Sequence, residues 1–92
     1  MVQVRLFIGG YVHSVGFRSF VKKEAEKLGV GGWVRNIKDR RVEVLAQGKK
    51  EDLEKLIDLC KKGPFMAEVK GVSVTWEEAM QESSSFEILP TS

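Results

Sequence analysis

Cysteine is almost missing from this chain: Cys60 is the single one in 92 residues. No internal disulfide is possible, and a metal site built of several thiolates is excluded. No apolar run approaches the length that crosses a bilayer. Met1-Val2-Gln3-Val4-Arg5 lacks the basic and long apolar stretches of a secretory signal, so a reducing, cytoplasmic setting is expected. Charge of one sign is missing too. Fifteen basic and thirteen acidic residues leave a formal charge of +2. That balance argues against a nucleic-acid polyanion but suits a small anion, which needs only local positive potential. Low-complexity segments and internal repeats are absent. So are the nucleotide-binding loops G-x-x-x-x-G-K-[ST] and G-x-G-x-x-G.

What remains is an ordinary globular composition, 42% hydrophobic and 30% charged, in a length that makes one domain over residues 1–92. A core of this size is marginal, so the helices must share one sheet face. Val2, Val4, Leu6 and Ile8 alternate as a strand over Val2 to Gly9, with Phe7 adding apolar character to the other face. Ser19 to Leu28 reads as an amphipathic helix, its stripe formed by Phe17, Phe20 or Val21, Ala25 and Leu28. Gly29 and Gly31-Gly32 stop it. Trp33 to Ile37 and Arg41 to Gln47 read as a hairpin turning at Lys38-Asp39-Arg40. A second helix has Glu51, Asp52 and Glu54 near its start and Lys61-Lys62 at its end, matching the helix dipole. Leu53, Leu56, Ile57 and Cys60 form its apolar stripe, and Gly63-Pro64 ends it. Cys60 therefore reads as a core residue rather than a nucleophile. Val69, Val72, Val74 and Trp76 mark a fourth strand with a phase break at Gly71, suggesting a bulge. Glu77 to Ser85 reads as a mobile loop, and Phe86 to Leu89 as a short last strand. The order β-α-β-β-α-β plus an edge strand predicts an α+β, ferredoxin-like sandwich. Two helices cover one face of a mostly antiparallel sheet, and the first strand is central.

The junction Gly10-Tyr11-Val12-His13-Ser14-Val15-Gly16-Phe17-Arg18 draws the functional reading. A glycine-spaced turn from strand to helix gathers backbone N–H groups around one concavity that attracts anions. Arg18 adds a planar fork of donors suited to phosphate oxygens. Spacing alone leaves phosphate binding open, since most such junctions bind nothing. Asn36 interrupts an apolar strand end; it can hold a water while staying neutral, although a structural Asn near a turn is the commoner case.

Gly10-x-Val12-x-x-Val15-x-Phe17-Arg18, then Gly32-Trp33-Val34-Arg35-Asn36, with Val42 and Gly48 beyond, resembles the two signature segments of the acylphosphatases. The resemblance spans nearly the whole chain. It implies hydrolysis of the carboxyl-phosphate bond of an acyl phosphate, releasing inorganic phosphate, with no metal or cofactor. The implied partner is that small molecule, not a nucleic acid or a membrane, and a monomer is expected. It also implies that the N–H groups of His13, Ser14, Val15, Gly16, Phe17 and Arg18 hold the phosphate. Arg18 would stabilise charge as the bond breaks, and Asn36 would orient the attacking water.

Three positions depart from the family pattern. Gln is usual where His13 stands, and Gly where Ser14 and Arg40 stand. A Cβ at a left-handed position costs about 1 kcal/mol or more, so Ser14 could weaken the cradle or add a hydroxyl donor. Arg40 would bear its strain remote from the chemistry. His13 would make anion binding depend on pH. The alternative functional reading is an anion-binding or interaction module of the same fold with weakened catalysis. An RNA-binding module shares this element order, but its central strands carry stacking aromatics, and Arg41 to Gln47 has none.

Overall fold

The computed structural model describes residues 1–79 and 83–92. Its elements are β1 (Val2–Tyr11), α1 (Phe17–Leu28), β2 (Gly31–Asn36), β3 (Val42–Gly48), α2 (Lys50–Lys62), β4 (Glu68–Glu78) and β5 (Phe86–Ile88). The strands form one sheet in the order β4-β1-β3-β2-β5. Neighbours are antiparallel except β5, which runs parallel to β2. This is the expected ferredoxin-like sandwich. β1 is an interior strand, with β3 in the middle of the sheet.

Alternation along β1 decides the two faces. Val4, Leu6 and Ile8 are fully buried with Val42, Val44 and Ala46 opposite them or diagonal to them on β3. The helices lay their stripes on this face: Phe17, Val21 and Ala25 from α1, and Leu53, Leu56, Ile57 and Cys60 from α2. Burial pushes the Cys60 thiol up to about 12, as desolvation disfavours a thiolate.

The other sheet face is polar but crosslinked. Glu43, only 4% exposed, accepts from Arg5 and from Arg35, each at 2.8 Å. Gln47 donates to Gln3, and Gln3 donates to Glu77. Phe7 lies half-buried on this face, with the Arg41 guanidinium 4.6 Å above its ring.

Several boundaries differ from the sequence reading. Helix α1 starts at Phe17 because Gly16, in the left-handed region at φ 77°, is its N-cap; Ser19 lies inside the first turn. β2 begins at Gly31 and ends at Asn36, leaving Ile37 outside. Gly31 has no room for a side chain, since a Cβ would fall 1.8 Å from the Ser83 carbonyl oxygen. β3 begins at Val42 and includes Gly48. β4 takes in Glu77 and Glu78, which pair with Gln3 and Val2. The rest of the expected loop includes Met80, Gln81 and Glu82, which lie outside the described residues. The bulge is real and sits at Lys70: Gly9 pairs with Gly71 and Gly10 with Val69. Gly10, at φ 127°, faces this bulge so closely that a Cβ would lie 2.2 Å from the Glu68 carbonyl oxygen.

Candidate active site

β1 ends at Tyr11, and residues 12–16 turn the chain into α1. The turn uses two left-handed residues, Ser14 at φ 60° and Gly16 at φ 77°. Alternation of that kind aims successive N–H groups into one hollow. Gly16 provides no side-chain cap, and the first turn of α1 holds no acid. Among the described residues, the N–H groups of Ser14 to Ser19 donate to no backbone or side-chain acceptor; the first bond of the helix is Phe20 N–H to the Gly16 carbonyl, 3.0 Å. A helix start with its donors unspent carries partial positive charge into the hollow.

β2 supplies the opposite wall. Its antiparallel pairing with β3 and parallel pairing with β5 carry Asn36 to the same end of the sheet as the loop. One cavity of about 200 Å³ is lined by Val12, Ser14, Gly16, Phe17, Arg18, Ser19, Asn36 and Ile88. Arg18 and Asn36 thus share one hollow rather than facing apart. Among the described residues no carboxylate or imidazole lines it and no acid pairs with Arg18. Its chemistry is that of an anion receptor. Asn36 is 8% exposed and its Oδ1 has no hydrogen-bond partner among the described residues. A buried amide oxygen without a donor is costly, so this residue on the cavity wall keeps an unspent acceptor. The Asn36 backbone is fixed from outside by Ser92, whose N–H reaches its carbonyl at 3.0 Å.

Of the residues singled out in the sequence, Ser14, Gly16, Phe17, Arg18 and Asn36 line this cavity. Val15 packs partly buried against the core. His13 turns away: its Nε2 lies 2.8 Å from the Arg41 carbonyl oxygen, tying the loop to the start of β3. Arg40 does stand in the left-handed region, at φ 74°. It is not remote from the loop, however, because it lines a neighbouring cavity with His13 and Ser14. Val12 enters the sequence reading only as part of the first resembling segment, and Ile88 and Ser19 carry no functional expectation there. Ser19 sits one residue after Arg18 in an uncapped first turn, a signal that was available. Ile88 arrives through a parallel strand pairing that no local pattern announces.

The acylphosphatase family model matches residues 4–88. The chain belongs to the acylphosphatase family. A curated acylphosphatase of Roseiflexus sp. strain RS-1 is 38% identical over 89 residues, covering 97% of this chain and 96% of that one. The crystal structure of acylphosphatase from Bacillus subtilis superimposes with a TM-score of 0.94 at 38% identity, covering 97% of this chain and 99% of the other. The structure of an acylphosphatase from Coxiella burnetii gives a TM-score of 0.89 at 31% identity, covering 96% and 92%. Of the two segments that carry the resemblance, Val12, Phe17 and Arg18 of the first and Asn36 of the second line the cavity.

Proposed function

We propose that the chain hydrolyses acyl phosphates to a carboxylate and inorganic phosphate at the cavity between residues 12–19 and Asn36. The free N–H groups of the loop and the Arg18 guanidinium bind the phosphate oxygens. Asn36 Oδ1 accepts a hydrogen bond from a water and aims it at phosphorus opposite the carboxyl oxygen. The water oxygen forms the new P–O bond. The bond from phosphorus to the carboxyl oxygen breaks, with its electron pair leaving as carboxylate. Both water protons end on the phosphate product. Transfer of this kind depends mostly on positioning and on stabilising charge at the equatorial oxygens. A carboxylate is a good leaving group, so no acid is needed at the departing oxygen, and the cavity lining holds none.

The observation that carries the reading is one shared hollow, with Arg18 and the uncapped start of α1 on one wall and Asn36 on the other, the Asn36 Oδ1 being buried and unpartnered among the described residues. The test is hydrolysis of benzoyl phosphate, followed in the ultraviolet with a chelator present, by the wild type and by Arg18→Ala. Removing the guanidinium is expected to lower turnover by about a thousandfold or more. Normal turnover by Arg18→Ala ends this assignment. Phosphate raising the melting temperature of a wild type that shows no turnover would instead mark an anion-binding module.

A further inference from the structure

Next to the phosphate cavity lies a second one, of about 320 Å³, lined by Gly10, Tyr11, Val12, His13, Ser14 and Arg40. Val12 and Ser14 line both, so the two hollows share the wall formed by the loop. Among the described residues no carboxylate lines the second cavity. The acid nearest in sequence, Asp39, is already engaged. It accepts from the Arg41 backbone N–H at 3.1 Å and from the Arg41 guanidinium at 2.8 Å. Arg41 is thereby spoken for, and its ring contact with Phe7 holds it on the open sheet face. His13 is held by the Arg41 carbonyl. Arg40 is different: among the described residues no acid pairs with it. It also keeps a backbone conformation, φ 74°, that glycine would adopt without strain. A non-glycine backbone outlier of this kind is a reason to look for a role in binding.

We propose that this cavity receives the acyl chain of the substrate and that Arg40 selects acyl phosphates carrying a second anionic group at the far end of that chain. The inference rests on the proposed hydrolysis, since it assigns the phosphate to the neighbouring cavity. With the phosphorus there, the shared wall at Ser14 leaves the acyl carbon facing two surroundings: solvent, or the hollow with Tyr11 and Arg40. A chain ending in a methyl group gains only contact with Val12 and the Tyr11 ring. A chain ending in a carboxylate gains a charged hydrogen bond from a guanidinium that has no competing acid.

The test compares kcat/KM for the monoacyl phosphate of a four-carbon diacid with that for butyryl phosphate, which has the same chain length and no second charge. A preference of about fivefold for the charged substrate is expected at low salt, shrinking as salt is added, as for an exposed ion pair. In Arg40→Gly the ratio is expected to fall to about one, while Arg40→Lys, which keeps charge and backbone strain, retains most of it. A wild-type ratio near one, or a ratio that Arg40→Gly does not change, overturns the inference and leaves the hydrolase reading standing. If neither substrate is turned over, the hydrolase reading falls. Calorimetry then decides the inference with two unreactive ligands, butylphosphonate and a phosphonate of equal length ending in a carboxylate. Tighter binding of the second by wild type, lost in Arg40→Gly, supports the inference. Equal affinity, or no binding of either, overturns it.

Discussion

Two turns of this molecule bend their chain through a left-handed residue that is not glycine, and they use the result in opposite ways. In the hairpin between β2 and β3, most backbone donors around Arg40 are engaged. Arg40 N–H reaches the Ile37 carbonyl, Ile37 N–H reaches the Arg41 carbonyl, and Arg41 N–H reaches Asp39. In the loop between β1 and α1, the strain at Ser14 accompanies a run of N–H groups with no acceptor among the described residues. The hairpin is closed as backbone and can offer only a side chain. The loop is open as backbone and offers its amides. Backbone strain alone therefore does not mark where backbone amides bind an anion; strain together with unspent donors does.

After that of Arg18→Ala, the largest expected effect lies on the wall that faces the loop. Asn36→Ala is expected to lower kcat on benzoyl phosphate by about a hundredfold or more, while inorganic phosphate still raises the melting temperature. Loss of phosphate binding as well would mean that Asn36 holds the anion rather than the water. Next in size is the ligand's own effect. Phosphate at about one hundred times its dissociation constant should stabilise the wild type by about 2.7 kcal/mol, and Arg18→Ala should lose most of that shift in a thermal melt. Smaller again are the two strained positions. Ser14→Gly and Arg40→Gly should each raise stability by about 0.5–1 kcal/mol, the left-handed penalty less the extra freedom of glycine when unfolded. Denaturant titration checks this. A stabilisation at Arg40 only would show that Ser14 is compensated locally.

The smallest effect is a control on the open sheet face, away from both turns. The Glu77 carboxyl is held below the ordinary carboxylate range, first by the hydrogen bond from Gln3 and then by Arg5. A carboxyl with a lower value in the folded state adds stability above its unfolded value and loses it as pH falls through the folded one. Melting temperature should therefore decline on the acid side, and Glu77→Gln should make that decline shallower. An unchanged slope would remove Glu77 from the acid response.

How much of this was legible in the sequence depended on how local the cause was. Helix α2 was legible almost to the residue, because its acids, lysines and Gly63-Pro64 act within a turn of where they stand. The stripe of Leu53, Leu56, Ile57 and Cys60 was read correctly for the same reason. The start of α1 was misplaced by two residues, since Ser19 looks like a cap and Gly16 does not; the left-handed φ of Gly16 is what stops the strand-to-helix turn there. Glu77 and Glu78 were read as loop because an edge strand needs no apolar residues at its end, only a neighbour such as Gln3 or Val2 to pair with. Glu43 reads as a wetted residue, yet it is buried between arginines of two other strands. The glycine-spaced junction and the polar Asn36 at an apolar strand end stand out by pattern, but only the resemblance to the signature segments joins them into one site. The place of Arg40 beside the loop was not legible, because it depends on where a hairpin turn lands relative to a junction more than twenty residues earlier in the chain.

The hydrogen bonds from Leu89 to Val34, from Ser92 to Asn36 and from Lys38 back to Ser92 have a kinetic meaning. They stitch residues 86–92 alongside β2, and Ile88 among them lines the candidate cavity. Loop closure over such distances is late and slow. A ribosome-bound chain that has already released Arg18 and Asn36 would thus still be an incompetent receptor, and phosphate should begin to protect it from proteolysis only once residues 86–92 have emerged and docked.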